Sequence, residues 1–417
     1  MPVVVLGTDA FRSLADEAAA ALGVPHLARV TVPHPIGGLD PAVVRAKAES
    51  VADAVIRALT SDPAPPPSPR PASAATLAAP DDLDEFQAFA MAEGWGDGLP
   101  VLPPTPERVV RLLAGTPGLP GEVVATLAPR FGRATLEVIV VNAALAGAGP
   151  EHLPVILAAL RALAEPRFNL EAVQTTTHPC TPLVVVNGPI RARLGIGAGA
   201  GALGPGYRAN AVIGRSVRLT LQNVGGARAG HLDRATLGYP GKFTYCLGEN
   251  EEASPWPPLH VDRGFAAGVS CVTVCASEAP HNVNDHGSTT AEGLLAALAG
   301  TAATPGNNNV YLGGEPLLLL GPEHAQTIAA SGWSKDDLRR AFWERARVPA
   351  AAFGAENLAR FATIDPARFR DRPPDERIAL AASPDDVMVV VAGGPGKHSA
   401  FVPTFGSTRS VTVPVES

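Results

Sequence analysis

The sequence predicts a mixed α/β fold in three parts: a small parallel βαβα segment at residues 1–60, a Pro/Ala-rich linker at 61–81 and a large mixed α/β unit at 82–417. Three observations lead there. From Val3 onward, short β-branched runs alternate with helical stretches, an order that feeds a parallel sheet. The run Pro63-Ala-Pro-Pro-Pro-Ser-Pro-Arg-Pro71 has almost nothing to bury and reads as a semi-rigid spacer. Finally, 417 residues with 46% apolar and 18% charged side chains suffice for two or three domains at roughly 150 residues each, and exclude global disorder.

The same arithmetic restricts function. A net charge of −7 argues against a nucleic-acid partner, which calls for a basic face. No apolar run approaches the roughly 20 residues that span a bilayer, and Met1 to Leu6 is too short for a signal-peptide core, so we expect no membrane partner and a cytoplasmic location. Four cysteines do not make a disulfide scaffold and are expected as thiols. A homo-oligomer is compatible with all of this, and no cofactor is indicated.

At the N-terminus, Val3 to Leu6 reads as a buried strand, and Thr8-Asp9 offers N-cap oxygens to a helix reaching about Leu22. Ala28 to Val32 is a second strand. Asp40-Pro41 then opens a helix to Leu59, with proline at its favoured first position. Two parallel strands hold little core, so this segment should lean on a partner or belong to a larger sheet.

These residues carry a resemblance. The stretch from Thr8-Asp9-Ala10-Phe11 through Leu22-Gly23-Val24-Pro25 to Val32-Pro33-His34-Pro35-Ile36-Gly37-Gly38, ending at Ala58-Leu59-Thr60, is similar to the C-terminal half of the UGSC-motif family. That family is named for a selenocysteine (or cysteine)-Gly-Ser-Cys redox motif upstream of this segment, and the motif is absent here. Two expectations follow. In one, the chain works beside a separate polypeptide that carries the motif; in the other, the start lies after an in-frame UGA that encodes selenocysteine. The resemblance implies thiol or selenol chemistry, akin to reductases that cleave a bond alpha to a carboxylate.

In the large unit, Asp82 to Ala92 is amphipathic, and Thr105-Pro106-Glu107 caps a helix that stops at Gly115. Apolar helices are expected near Ala134 to Leu145 and His152 to Ala164. Strand-length runs occur at Leu183 to Val186, Phe243 to Leu247, Val269 to Cys275, Pro316 to Leu320 and Val387 to Val391. Thr289-Thr-Ala-Glu292 and Ser334-Lys-Asp-Asp337 match capping boxes. The sum is two lobes around a shared cleft.

Four segments carry candidate chemistry. Gly195-Ile-Gly-Ala-Gly-Ala-Gly-Ala-Leu-Gly-Pro-Gly206 precedes a helix with Arg208, Asn210 and Arg215. Gly199, Gly201 and Gly204 let backbone N–H groups approach an anion beside a helix N-terminus. The competing reading is a close-packed loop without ligand, and the preceding strand ends too early for a dinucleotide turn. His178 and Cys180 lie in Thr175-Thr-Thr-His-Pro-Cys-Thr181, where an imidazole near a thiol can favour a nucleophile; a buried structural cysteine is the alternative. Cys271 and Cys275, about 13 Å apart along a strand, cannot form a disulfide, and with Cys246 they read as core.

The segment Glu278-x-x-His281-Asn-Val-Asn284-Asp285-His286-Gly287 reads as a polar loop whose His281, Asp285 and His286 suit proton transfer or substrate hydrogen bonding, without a recognised zinc spacing. Glu249-Asn-Glu-Glu252, with His260 and Trp256, reads as a solvated polar stretch. Lys397 and His398 follow a glycine-rich turn without Walker spacing and can grip a carboxylate.

One cleft is expected from Thr175 to Cys180, Gly195 to Arg208, His281 to His286 and Gly393 to His398. The leading expectation is a thiol- or selenol-linked reductase of a small anionic, carboxylate-bearing substrate. Arg208 and the glycine loop hold the anion, Cys180 is the resident thiol and the histidines move protons. The alternatives are a metal-dependent hydrolase or lyase using His281, Asp285 and His286, and a non-catalytic scaffold for a redox partner.

Overall fold

The structure, a computed structural model, describes residues 3–21, 24–61, 76–114 and 116–416. At the N-terminus β1 (Val4–Thr8) and β2 (Ala28–Val32) pair in parallel, joined by a 3-10 turn and the helix Arg12–Ala21. The helix Pro41–Thr60 begins where Asp40 accepts a hydrogen bond from the Ala42 N–H and proline takes the first turn. Among the described residues this sheet stops at two strands, and Val5 and Leu6 of β1 stay exposed. Residues 62–75 of the expected linker lie outside the described residues, and residues 76–81 carry no helix or strand.

The large unit opens with the helices Leu83–Ala92 and Pro106–Leu113, followed by a hairpin of β3 (Val123–Leu127) and β4 (Gly132–Thr135). Its body uses β5 (Thr181–Asn187), β6 (Cys246–Gly248), β7 (Cys271–Ser277), β8 (His281–Asn284), β9 (Leu317–Leu320), β10 (Arg347–Pro349), β11 (Arg377–Ala379), β12 (Met388–Val391), β13 (His398–Val402) and β14 (Val411–Pro414). Two four-stranded sheets result, in the orders β14-β7-β5-β6 and β12-β9-β13-β8, while β10 and β11 form a separate antiparallel pair.

Period-two alternation decides how these sheets stack. On β5, Leu183 and Val185 join Leu247 and Cys275 against Leu317, Leu319, Met388 and Val390 of the second sheet. The intervening Val184 and Val186 face the other way, with Val272 and Val274, toward the helices Leu136–Leu145, Leu153–Ala164 and Arg208–Asn223. On the second sheet Leu318, Leu320, Val389, Val391 and Phe401 back onto the helices Ala291–Ala302, Pro322–Ala330 and Lys335–Arg345. The architecture is therefore helix, sheet, sheet, helix, with apolar side chains on both faces of each sheet.

Local differences from expectation have local causes. Phe243 to Leu247 shortens to β6 because Pro240–Lys242 forms a 3-10 turn, into which Phe243 donates its N–H to Pro240 O. The expected loop at His281 contains edge strand β8, whose lone buried side chain is Val283; one apolar residue in four is too weak a pattern to read as a strand. Thr290 rather than Thr289 caps its helix, accepting from the Gly293 N–H, whereas the Ser334–Asp337 box forms in both directions.

The inter-sheet layer should dominate stability. Leu183→Ala is expected to cost about 2–5 kcal/mol in urea unfolding, while Leu237→Ala, at a residue 90% exposed, stays within about 0.5 kcal/mol. Equal costs at both positions contradict this layering.

Candidate functional site

The glycine-rich loop is held from behind. Asn210, buried in the first turn of the helix Arg208–Asn223, accepts from Gly197 N–H at 2.8 Å and donates to Gly197 O and Ala202 O. Within the loop, Ala202 and Gly204 donate to Gly199 O and Gly201 O, closing two tight turns. Gly201 sits at φ +72°, where a side chain is strained. A Cβ on Gly197 would meet the Tyr207 ring at 2.2 Å, so glycine is needed there for close approach. Asn210 is thus a clamp on the loop rather than a ligand-binding group. Arg208 is exposed and donates to Gly147 O, whereas Arg215, expected near an anion, is committed to Asp97 through two hydrogen bonds.

Beside this loop the chain crosses from one sheet to the other. β7 belongs to the first sheet and β8 to the second, so Glu278, Ala279 and Pro280 bridge the seam between them. A groove of about 470 Å³ opens at the crossing. The loop from Ala202 to Pro205, the start of the long helix at Asn210 and Ala211, the turn at Tyr239 to Gly241, and Ala279-Pro280 line it. Tyr239 and Tyr245 form its inner wall; their hydroxyls donate to Ser277 O and Glu278 O, and burial pushes both phenols up from their ordinary value.

The segment before β5 adjoins the crossing from the other side. His178 Nε2 lies 2.6 Å from Glu278 Oε1, a carboxylate–imidazole pair that fixes the ring, while His178 Nδ1 is buried without a partner. Cys180 corrects an expectation. It is 1% exposed in the helix-facing core, and burial pushes its thiol up to about 12, so at neutral pH it is an unionised thiol rather than a nucleophile. The other cysteines are also buried and free; burial raises Cys246 and Cys275 to about 12 and Cys271 to about 11.

The Gly393–His398 turn touches the glycine loop: Gly393 N–H donates to Ala198 O, and a Cβ on Gly394 would strike Ala200. Lys397 Nζ then donates to His286 O at 3.1 Å, and His398 Nε2 lies 3.3 Å from His286 Nε2. Three of the four expected segments therefore touch one another in turn, and the fourth, through His178, reaches Glu278 three residues ahead of β8.

The expected trio of His281, Asp285 and His286 does not converge. His281 opens β8, three residues and about 10 Å from Asn284, which faces His398. The Asp285 carboxylate accepts from Gly287 N–H and Ser288 N–H, and hydrogen bonding from Ser288 holds its pKa below the usual range. Among the described residues no three His, Cys, Asp or Glu side chains are gathered to hold a metal. The partner of His286 is His398, 112 residues away, a separation that no motif spacing announces.

Glu249 also departs from the expected solvated run. It is fully buried, accepts from Asn187 Nδ2 and Leu259 N–H, and burial raises its pKa. Arg191 binds Glu252 and Glu251 nearby, so this polar cluster braces the ends of β5 and β6. A second hollow of about 410 Å³ lies against β1 and β2, but its Arg29 is already paired with Asp16 and its Arg12 with Thr31. The groove at the sheet crossing, walled by the glycine-rich loop and by the connection next to the His178–Glu278 pair, is the stronger candidate site.

The thiols predict a pH dependence. Each folded-state thiol pKa lies above the ordinary 9.0, so the unfolded chain releases these protons first. The resulting stabilisation is whole below pH 9 and is lost as pH rises toward 12. Urea midpoints should fall from pH 9 to pH 11, less steeply in Cys180→Ala; an unchanged midpoint contradicts the burial argument.

No curated protein and no solved structure matches this chain. One family model does. It covers 61 of the 417 residues, all within the unit that carries β1 and β2. Residues 1–61 match the model of the UGSC family, consistent with the UGSC resemblance of this N-terminal segment.

Proposed function

We propose that the chain binds a small carboxylate-bearing substrate in the groove at the sheet crossing, as part of a thiol- or selenol-linked reduction. The observation that carries this reading is the groove itself, walled by the glycine-rich loop and by the connection between β7 and β8. Its lining is mostly apolar, with few polar groups, the usual character of a small-molecule site. We assign the carboxylate to Arg208, which opens the helix behind the glycine loop, and the proton transfer to His178, whose ring Glu278 orients; neither side chain is itself part of the groove lining.

The reducing centre is assigned elsewhere. Because all four cysteines are buried, the dithiol or selenol–thiol pair is proposed to come from a partner polypeptide with the UGSC motif, which fits the family match at residues 1–61. In the balanced reaction the C–X bond alpha to the carboxylate breaks, C–H and H–X form, and the two chalcogen groups lose two protons and two electrons to form one S–S or Se–S bond. The cytoplasm is the proposed compartment, since such thiols must remain reduced.

The test is calorimetric titration with short α-amino, α-hydroxy and α-halo carboxylates. One class should bind, and Ala279→Trp, an exposed lining position, should weaken that binding at least tenfold. Arg208→Gln should weaken it about tenfold, or roughly 1.4 kcal/mol. If no carboxylate binds, or if Ala279→Trp binds as tightly as the parent, the reading falls and a scaffold role takes its place.

A further inference from the structure

We infer that His286 and His398 form a binding site for a borderline divalent cation such as Zn²⁺, with Asn282 as the residue that orients it. The ring centroids are 5.1 Å apart with planes 80° apart, yet the Nε2 atoms are only 3.3 Å apart, so the rings meet at their nitrogen tips. That separation is longer than an ordinary N–H hydrogen bond of about 2.7–3.2 Å. It matches the edge of a tetrahedron around Zn²⁺, which at Zn–N of about 2.0–2.1 Å is about 3.3–3.4 Å.

A second observation sets the tautomer. His398 Nδ1 lies 3.1 Å from Asn282 Oδ1; an amide oxygen only accepts, so Nδ1 carries the proton and the Nε2 lone pair is free. Asn282 and His398 share one face of the β8–β13 ladder, because Asn282 opposes Ala400 and His398 opposes Asn284. Both histidines are exposed, which leaves the remaining coordination positions open to water or a carboxylate oxygen. Lys397, donating to His286 O, is a positive charge beside the pair that opposes a bare cation, so the remaining positions call for anionic oxygens that offset it. Imidazole with oxygen donors suits zinc among the available divalent ions. The inference does not depend on the reductive reading.

Zinc chloride titrated into chelator-treated full-length protein should show one site that raises the melting temperature. His286→Ala and His398→Ala should each weaken it at least tenfold, and Asn282→Ala about tenfold through ring orientation. His231→Ala, at an exposed histidine elsewhere, should leave it unchanged. Melting temperatures of the metal-free variants check that they remain folded. Absence of zinc uptake by the parent protein, or an isotherm that survives in the double variant, overturns the inference; either result leaves a histidine pair without a metal.

Discussion

The contact on which the rest of the molecule depends is the apolar layer between its two four-stranded sheets. Leu183, Val185, Leu247 and Cys275 on one side meet Leu317, Leu319, Met388 and Val390 on the other. Because side chains alternate along a strand, a one-residue slip of β5 would bring Val184 and Val186 into this layer and turn Leu183 and Val185 to the helices. The same register places Glu278, Ala279 and Pro280 at the seam, since the chain leaves the first sheet at Ser277 and enters the second at His281. The groove lies at that crossing: Ala279 and Pro280 form one wall, and the glycine loop and the Tyr239 turn supply the others.

Burial sorts the polar residues around this groove into braces and candidates. Asn210, Glu249 and Asp233 are enclosed and hydrogen-bonded, and each fixes backbone or neutralises a neighbour; Asp233 holds both Lys242 and Arg218. Removing one partner of such a group leaves the other unpaired in a low-dielectric interior, so these residues are structural even though their types suggest chemistry. The cysteines obey the same logic. Their thiols lie in apolar surroundings that oppose charge, which moves any reactive sulfur in the proposed reaction to another polypeptide.

The helices and the longer strands were legible in the sequence because their signals are local. Capping oxygens at Asp40, Asp82, Thr105 and Ser334, and the apolar runs at β5, β7, β9 and β12, sit where the chain begins or continues each element. Strands β8, β13 and β14 were not legible. β8 and the first half of β13 carry Asn, His, Ser and Ala, and what makes them strands is the neighbouring strand to which their backbones bond, whereas β14 is a β-branched Val-Thr-Val run too short to stand out beside the longer strands. Of the candidate site, the glycine loop, His178 and the Gly393–His398 turn stood out by composition. The pairing of His178 with Glu278 and of His286 with His398 did not, because each joins residues at least 100 positions apart.

The sequence by itself determined an α/β protein with a UGSC-like N-terminal segment, a glycine-rich loop before a long helix, and four unpaired thiols. Those properties follow from residue type and short-range spacing. Tertiary structure alone decided that the sheets stack face to face, that Cys180 and Glu249 are enclosed, and that His286 meets His398 rather than His281. Each of these depends on which distant segments come together, and solvent access, ionisation and ligand geometry are set by those neighbours rather than by the residue itself.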